Sequence, residues 1–109
     1  MYMESIFLNL LSNSLKYRSD DRYCKIHVRS FVNDHQQVTL EWEDNGVGID
    51  VDANKHDLFK LGKRFHSNED SRGVGLFLIK NQVDVMGGKI GVESEPGAWT
   101  RFKITFGVN

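Results

Sequence analysis

The order of its amphipathic segments predicts that this chain folds as an α+β domain, with helices on one face of a mixed, mostly antiparallel β-sheet. Two segments carry apolar residues at helical spacing, and each is followed by two segments in which apolar and polar residues alternate. Short turns join the alternating segments, which favours antiparallel pairing. With 109 residues, the sequence is expected to form one two-layer domain, residues 1–109, around a single core.

The first half of the chain predicts one helix and a β-hairpin. Residues 4–17 carry an apolar arc at about 100° per residue, made of Phe7, Leu8, Leu11 and Leu15. A second arc on this helix is polar, made of Ser5, Asn9, Asn13 and Lys16. Residues 25–32 and 37–44 alternate about a turn at Asn33 and Asp34, and this alternation predicts two paired strands.

The second half predicts a long loop, a helix and two more strands. Periodicity fades over residues 46–72, which in a small domain indicates a functional loop. The next helix carries an apolar stripe and ends at Gly87 and Gly88; the stripe is Leu76, Ile79, Val83 and Met86. Residues 89–94 and 100–106 then alternate as strands about the turn at residues 95–97.

Composition excludes several classes of protein. The 14 basic and 15 acidic residues give a net charge of −1, which favours neither nucleic acid nor direct contact with a membrane surface. Cys24 is the single cysteine, so no intrachain disulfide can form and a cytoplasmic location is expected. No apolar run approaches the ~20 residues needed to span a bilayer. The four histidines lack metal-site spacing.

A carboxylate followed by two glycines ends the second predicted strand. Asp44 precedes Gly46 and Gly48, an arrangement that by itself is a common strand-terminating turn. A buried carboxylate here would accept a hydrogen bond from an exocyclic amine: facing adenine it would accept from the 6-amino group, whereas the carbonyl group of guanine would oppose it at a cost of roughly 1–3 kcal/mol or more. The glycines are expected to let the backbone come close to such a ligand.

Two further motifs suit a phosphate-bearing ligand. Asn9 and Asn13 lie four residues apart on the first helix beside Lys16; an amide oxygen suits Mg²⁺ and a lysine neutralises phosphate charge. By itself, such an arc is most often a solvated helix face. Gly73 and Gly75 precede the second predicted helix, and the positively charged N-terminal end of a helix is suited to bind phosphate oxygens. Since no strand leads into this G-x-G, it is not a dinucleotide fingerprint.

Taken together, residues 9–17, 44–48 and 72–79 resemble the N, G1 and G2 boxes of the ATP-binding catalytic domain of two-component sensor histidine kinases, in the GHKL (HATPase_c) superfamily. Residues 58–66 resemble the F box, and residues 67–72 a short lid. The resemblance covers almost the whole chain and implies a Bergerat-type ATP-binding fold. It also implies that the first strand, which usually precedes the N-box helix, is missing from an N-terminally truncated domain.

The resemblance implies a role for each matched residue. Asn13 resembles the Mg²⁺ ligand, Lys16 a phosphate contact and Tyr17 a wall near the base. Asn9 stands where hydrolysing relatives carry a catalytic Glu, which argues against hydrolysis; Asn9, Asn13 and Lys16 are the candidate catalytic residues. The other implied nucleotide-binding residues are Asp44, Gly46, Gly48, Ile49, Phe59, Arg72, Gly73, Val74, Gly75, Leu76 and Thr100. Phe77 and Trp99 depart from the family pattern, in which glycine is common at these two positions.

The function implied is that of a kinase domain which binds ATP with Mg²⁺ and phosphorylates a histidine in a separate helical-hairpin phosphoacceptor domain. The parent kinase, anchored to a membrane upstream or not, would then serve a response regulator. Two alternatives stay open: a stand-alone serine kinase of the anti-sigma type, and a non-catalytic nucleotide-binding interaction module. The missing strand would also leave Phe7, Leu11 and Leu15 under-covered, which predicts weak self-association.

Overall fold

The computed structural model describes residues 2–51 and 72–107, which form two helices and a four-stranded sheet. The elements are helix α1 (Tyr2–Lys16), strands β1 (Ile26–Val32) and β2 (Val38–Asp44), helix α2 (Arg72–Val85), and strands β3 (Lys89–Glu95) and β4 (Trp99–Thr105). This order confirms the predicted α+β class. None of the helices in these two stretches is long and apolar enough to cross a membrane.

The four strands form one open sheet in the order β1-β2-β4-β3, and every pairing within it is antiparallel. The predicted hairpin is present, with Val32 opposite Val38. Strand β4 lies between β2 and β3, so the last strand of the chain joins the two hairpins. This register sets Thr100 directly opposite Asp44, at the point where β2 ends.

Both helices contribute to a core on one face of the sheet, and α1 packs against α2. The buried apolar residues are Ile6, Leu10, Leu40, Trp42, Ile49, Leu76, Ile79, Val83, Phe102 and Ile104. The two central strands, β2 and β4, therefore supply the sheet's share of the core. The side-chain amide of Gln82 on α2 donates a hydrogen bond to Ser5 on α1 at 2.8 Å, which ties the helices together.

The buried stripe of α1 differs from the apolar arc that the sequence pattern singled out. Ile6, Leu10 and Ser14, together with Tyr17 directly after the helix, face the interior, and each is at most 6% exposed. Phe7, Leu11 and Leu15 are 39–44% exposed, which agrees with the prediction that this face of the helix is incompletely covered. The apolar pattern did not predict that this stripe is buried, because the polar residue Ser14 interrupts it.

The inward side of the edge strand β1 is also open. Val28 lies opposite the buried Trp42 and so points to the helix side of the sheet, yet it is 41% exposed. Val32, on the same side, is 62% exposed. The described helices cover the central strands and leave this edge uncovered, so alternation predicted the direction of these side chains but not their burial.

Candidate functional site

Asp44 is a buried carboxylate at the end of β2, with only 5% of its surface exposed. Its Oδ2 accepts a hydrogen bond from the Ser14 hydroxyl at 2.7 Å, and its Oδ1 accepts one from the Gly46 backbone N–H at 2.9 Å. The second bond forms because the chain turns back directly after the strand. The first links the acid of the β2 loop to helix α1, so the N-box and G1-box segments meet here.

Thr100 lies across the strand pair from Asp44 and is 2% exposed. Its hydroxyl is 3.1 Å from the Ser94 hydroxyl. Ser94 gives its single proton to the Trp99 carbonyl at 2.6 Å, so Thr100 is the donor in the pair with Ser94. Ser94 also accepts the backbone N–H of Ile49 at 2.8 Å, which anchors the end of the loop that follows Asp44.

Trp99, which departs from the family pattern, lies in regular strand structure. It pairs with Glu95 across the β3–β4 turn, and its ring lies 4.9 Å from the guanidinium carbon of Arg101. Arg101 forms 2.9 Å ion pairs with Glu43 and Glu93, and its hydrogen bonds to these carboxylates raise its pKa above the ordinary value. The indole therefore packs along the outer, charged face of the sheet without displacing Thr100.

The two glycines of the Asp44 loop allow the loop to pack against the chain's own backbone. A Cβ at Gly46 would lie 2.5 Å from the Tyr17 carbonyl oxygen, and one at Gly48 would lie 2.5 Å from the Glu95 carbonyl oxygen. Gly48 also has a φ of +77°, which L-residues rarely adopt. The structure thus gives a packing reason for both glycines, and the predicted close approach of this backbone to a ligand stays a prediction.

Arg22, which the sequence did not single out, holds this loop in place. Its Nε donates to the Asn45 carbonyl at 2.8 Å, and one terminal nitrogen donates to the carbonyls of Gly46 at 3.0 Å and Gly97 at 2.8 Å. The same nitrogen reaches the Ala98 carbonyl at 3.3 Å. Arg22 thus joins the Asp44 loop to the β3–β4 turn. A sequence pattern carries no signal for this, because every acceptor is a backbone carbonyl.

The residues next to Arg22 form a small polar cluster at the surface. Asp21 accepts a hydrogen bond from the Ser19 hydroxyl at 2.6 Å and lies 3.1 Å from the Arg22 guanidinium. The Ser19 hydrogen bond, followed by the charge of Arg22, lowers the pKa of the Asp21 carboxyl below its usual value. Because Asp21 is exposed, this pair adds little to the stability of the fold.

The N-box residues differ in how deeply they are buried. Asn13 and Tyr17 are each 6% exposed, whereas Lys16, the last residue of the helix, is exposed. The Asn9 side-chain amide donates to the Ser5 carbonyl one turn earlier, at 3.0 Å. Asn13 directly precedes Ser14, whose hydroxyl donates to Asp44.

Helix α2 begins earlier than the sequence predicted. Gly73 and Gly75 lie within its first turn rather than ahead of it, because the helix spans Arg72–Val85. The first four N–H groups of a helix have no partner within that helix, so the backbone of this turn remains a candidate for phosphate contacts. The side chains of Ile49 and Leu76 belong to the core, so only their backbone groups remain candidates.

Some of the predicted site falls outside the described residues. These are Phe59 with the rest of the F-box segment, the lid up to residue 71, and the side chains of Arg72 and Val74. In the two described stretches, no group of three or more His, Cys, Asp or Glu residues could hold a metal ion. The amide oxygen of Asn13 is a donor that suits Mg²⁺, which takes one or two protein oxygens and completes its coordination with phosphate and water.

Comparison with known proteins identifies the family. Residues 2–109 match the family described as histidine kinase-, DNA gyrase B- and HSP90-like ATPase. The chain is 39% identical over 96 residues to the sensor histidine kinase DcuS of Escherichia coli, covering 88% of this chain and 17% of that protein. It is 32% identical over 98 residues to the methanogenesis regulatory histidine kinase FilI of Methanothrix harundinacea, covering 90% of this chain and 11% of that protein.

Solved structures agree on the fold. The mycobacterial sensor histidine kinase MprB gives a TM-score of 0.76 at 24% identity, covering 96% of this chain and 72% of that chain. Full-length ShkA in complex with AMPPNP gives 0.77 at 24% identity, covering 96% and 21%. The chain belongs to the histidine kinase-, DNA gyrase B- and HSP90-like ATPase family, as an ATP-binding domain of the sensor histidine kinase type.

Proposed function

We propose that this member of the family binds ATP together with Mg²⁺ and supplies the γ-phosphate to a histidine in a separate helical-hairpin phosphoacceptor domain of the same kinase. The sensor histidine kinases to which it is similar support this role. The chain spans only 17% and 11% of the length of those two relatives. Residues elsewhere in such a protein would therefore provide the acceptor histidine, and a response regulator would receive the phosphate.

The buried Asp44 carboxylate is the observation that carries the proposal. Both of its oxygens accept hydrogen bonds from the protein, and it faces Thr100 across the strand pair. A carboxylate fixed in this way presents its remaining lone pairs to a donor, and the 6-amino group of adenine is such a donor. Tyr17 lies beside the same loop, since its carbonyl accepts the Val47 N–H at 3.0 Å.

The phosphates would lie between α1 and the first turn of α2. Lys16 and the backbone amides of residues 72–75 would neutralise and orient their oxygens, and the Asn13 carbonyl would be the protein ligand of Mg²⁺. When bound, Mg²⁺ would neutralise charge on the phosphates. Full-length ShkA, which shares the fold, was solved in complex with AMPPNP, an ATP analogue, and this supports nucleotide binding by the present chain.

Transfer to a histidine suits this set of residues better than hydrolysis does. Phosphoryl transfer depends mainly on positioning and electrostatic stabilisation, and an imidazole already carries a nucleophilic nitrogen. Hydrolysing relatives carry a Glu that serves as general base at the position of Asn9. The amide of Asn9 donates to the Ser5 carbonyl and cannot take a proton from water. We place this domain in the cytoplasm, where ATP is available.

A transfer assay tests the proposal. The chain is mixed with radioactive ATP, Mg²⁺ and a separately supplied phosphoacceptor domain from a similar sensor kinase, and label is measured on that domain. Transfer is expected from the unmodified chain and is expected to be lost in Asn13→Ala, while Ser12→Ala, an exposed position on the same helix, serves as the control. Label on a serine of a partner would favour the serine-kinase alternative, and nucleotide binding without any transfer would favour a binding module.

A further inference from the structure

We propose that Ser14 and Trp42 are positioning residues that set the base specificity of the site by fixing Asp44 through a buried hydrogen-bond chain. This inference rests on the proposed binding of ATP. The Trp42 indole N–H donates to the Ser14 hydroxyl at 2.9 Å, and the Ser14 hydroxyl donates to Asp44 Oδ2 at 2.7 Å. All three side chains are buried, with exposures of 6%, 2% and 5%.

The chemistry of the indole gives the chain a single direction. An indole nitrogen donates and cannot accept, so the Ser14 oxygen must accept from Trp42. The one proton of the Ser14 hydroxyl is then directed to Asp44 Oδ2. A buried serine in a helix often bonds to a carbonyl one turn earlier, whereas here the hydroxyl reaches across to the sheet. Helix α1 therefore controls the orientation of an acid on β2.

This arrangement makes Asp44 an acceptor on both of its oxygens. Oδ2 holds the Ser14 proton and Oδ1 holds the Gly46 N–H, so rotation of the carboxylate would break at least one of these bonds. The remaining lone pairs can only accept, which suits the amino group of adenine and opposes the carbonyl group of guanine. A carboxylate already held in place also loses less conformational freedom when the base binds.

The position of Trp42 explains why the chain is rigid. Its ring lies in the core between the helices and the sheet, and it meets Phe7 edge-on with ring centroids 5.9 Å apart. An aromatic ring held on several sides keeps its N–H aimed at one acceptor. The exclusion of water from this region strengthens both hydrogen bonds of the chain.

Nucleotide analogues test the proposal without confusing it with a loss of stability. Calorimetry compares ATP with a purine nucleoside triphosphate that lacks the 6-amino group, in the unmodified chain and in Ser14→Ala. The substitution should weaken ATP binding by about tenfold, the scale of a lost hydrogen bond to a charged group. Binding of the analogue should change by less than about twofold, because it makes no bond to Asp44. Ser12→Ala on the exposed side of α1 is the matched control.

A second variant keeps the test decisive should Ser14→Ala fail to fold. Trp42→Phe retains an aromatic ring but removes the donor, so the Ser14 hydroxyl is no longer obliged to face Asp44. Discrimination between ATP and the analogue should fall by about two- to fivefold, the scale of one lost hydrogen bond between neutral groups.

Equal weakening of ATP and the analogue, or unchanged discrimination in both variants, would overturn the positioning role. If the unmodified chain bound neither nucleotide, the proposed function itself would fail, and that outcome is distinct from a loss of discrimination.

Discussion

Replacing Arg22 should destabilise the domain far more than replacing another surface arginine. Its guanidinium makes four hydrogen bonds to backbone carbonyls, three of them at 2.8–3.0 Å and one at 3.3 Å. A hydrogen bond from a charged donor contributes about 1.5–3 kcal/mol in a shielded site. The Arg22 side chain is 33% exposed, so water competes for its donors and the net loss in Arg22→Ala should be about 2–3 kcal/mol.

For a domain of this size, such a loss corresponds to a fall in melting temperature of about 10–20 °C. Arg22→Lys should recover less than half of it, since a single ammonium group cannot span carbonyls on two separate turns. Arg29→Ala is the matched control: Arg29 is 60% exposed, and among the described residues it forms an ion pair with Glu41 at 2.7 Å and lies 4.9 Å from the centre of the Phe31 ring, so its removal should cost at most about 1 kcal/mol. Thermal and urea unfolding of the three variants would measure this. Equal losses for Arg22→Ala and Arg29→Ala would refute the assignment of Arg22 as the residue that holds the Asp44 loop.

Three further outcomes are expected. Gly48→Ala should lower the free energy of unfolding by about 1–3 kcal/mol or more, because Gly48 has a positive φ and a Cβ there would clash with the Glu95 carbonyl. Gly91→Ala should be nearly neutral, since a Cβ at Gly91 meets nothing within 4 Å. Equal effects of the two substitutions would contradict the packing reason given for Gly48. ATP hydrolysis by the chain alone, followed by phosphate release, should be much slower than the rate of about 1 per second or more usual for enzymes, and a rate in that range would mean that Asn9 has been misinterpreted. Sedimentation at high concentration should detect weak self-association through the exposed face of Phe7, Leu11 and Leu15, and this should decrease in Leu15→Gln; a monomer at all concentrations would exclude it.

The strands could be predicted because their signal is local. Alternation with a period of two persists through β2 and β4, whose inward residues are buried from Leu40 to Asp44 and from Thr100 to Ile104, and the turns within the two hairpins are short. Burial at the sheet edge could not be predicted in the same way. The apolar and polar residues of β1, including Val28 and Val32, alternate as clearly as those around Leu40 in β2. Whether a helix covers Val28 and Val32 depends on packing elsewhere in the domain.

Asp44 and Thr100 could be predicted as candidate site residues because their motifs resemble those of a known family, and the strand register sets the two residues side by side. Ser14 and Trp42 could not be identified, since they lie 28 residues apart and their hydrogen bond depends on how α1 lies on the sheet. Arg22 was missed because the partners through which it joins the two turns are backbone carbonyls, which every residue possesses. Long-range polar contacts of this kind leave no periodic trace in a sequence.

Asp44 is proposed to select adenine over guanine by accepting a hydrogen bond from the 6-amino group. Calorimetry with ATP and GTP tests this role most directly. The unmodified chain should bind ATP at least about tenfold more tightly than GTP, and Asp44→Asn should weaken ATP binding by about tenfold or more, because a buried hydrogen bond to a charged acceptor is lost. Equal affinity of the unmodified chain for ATP and GTP would contradict the role assigned to Asp44.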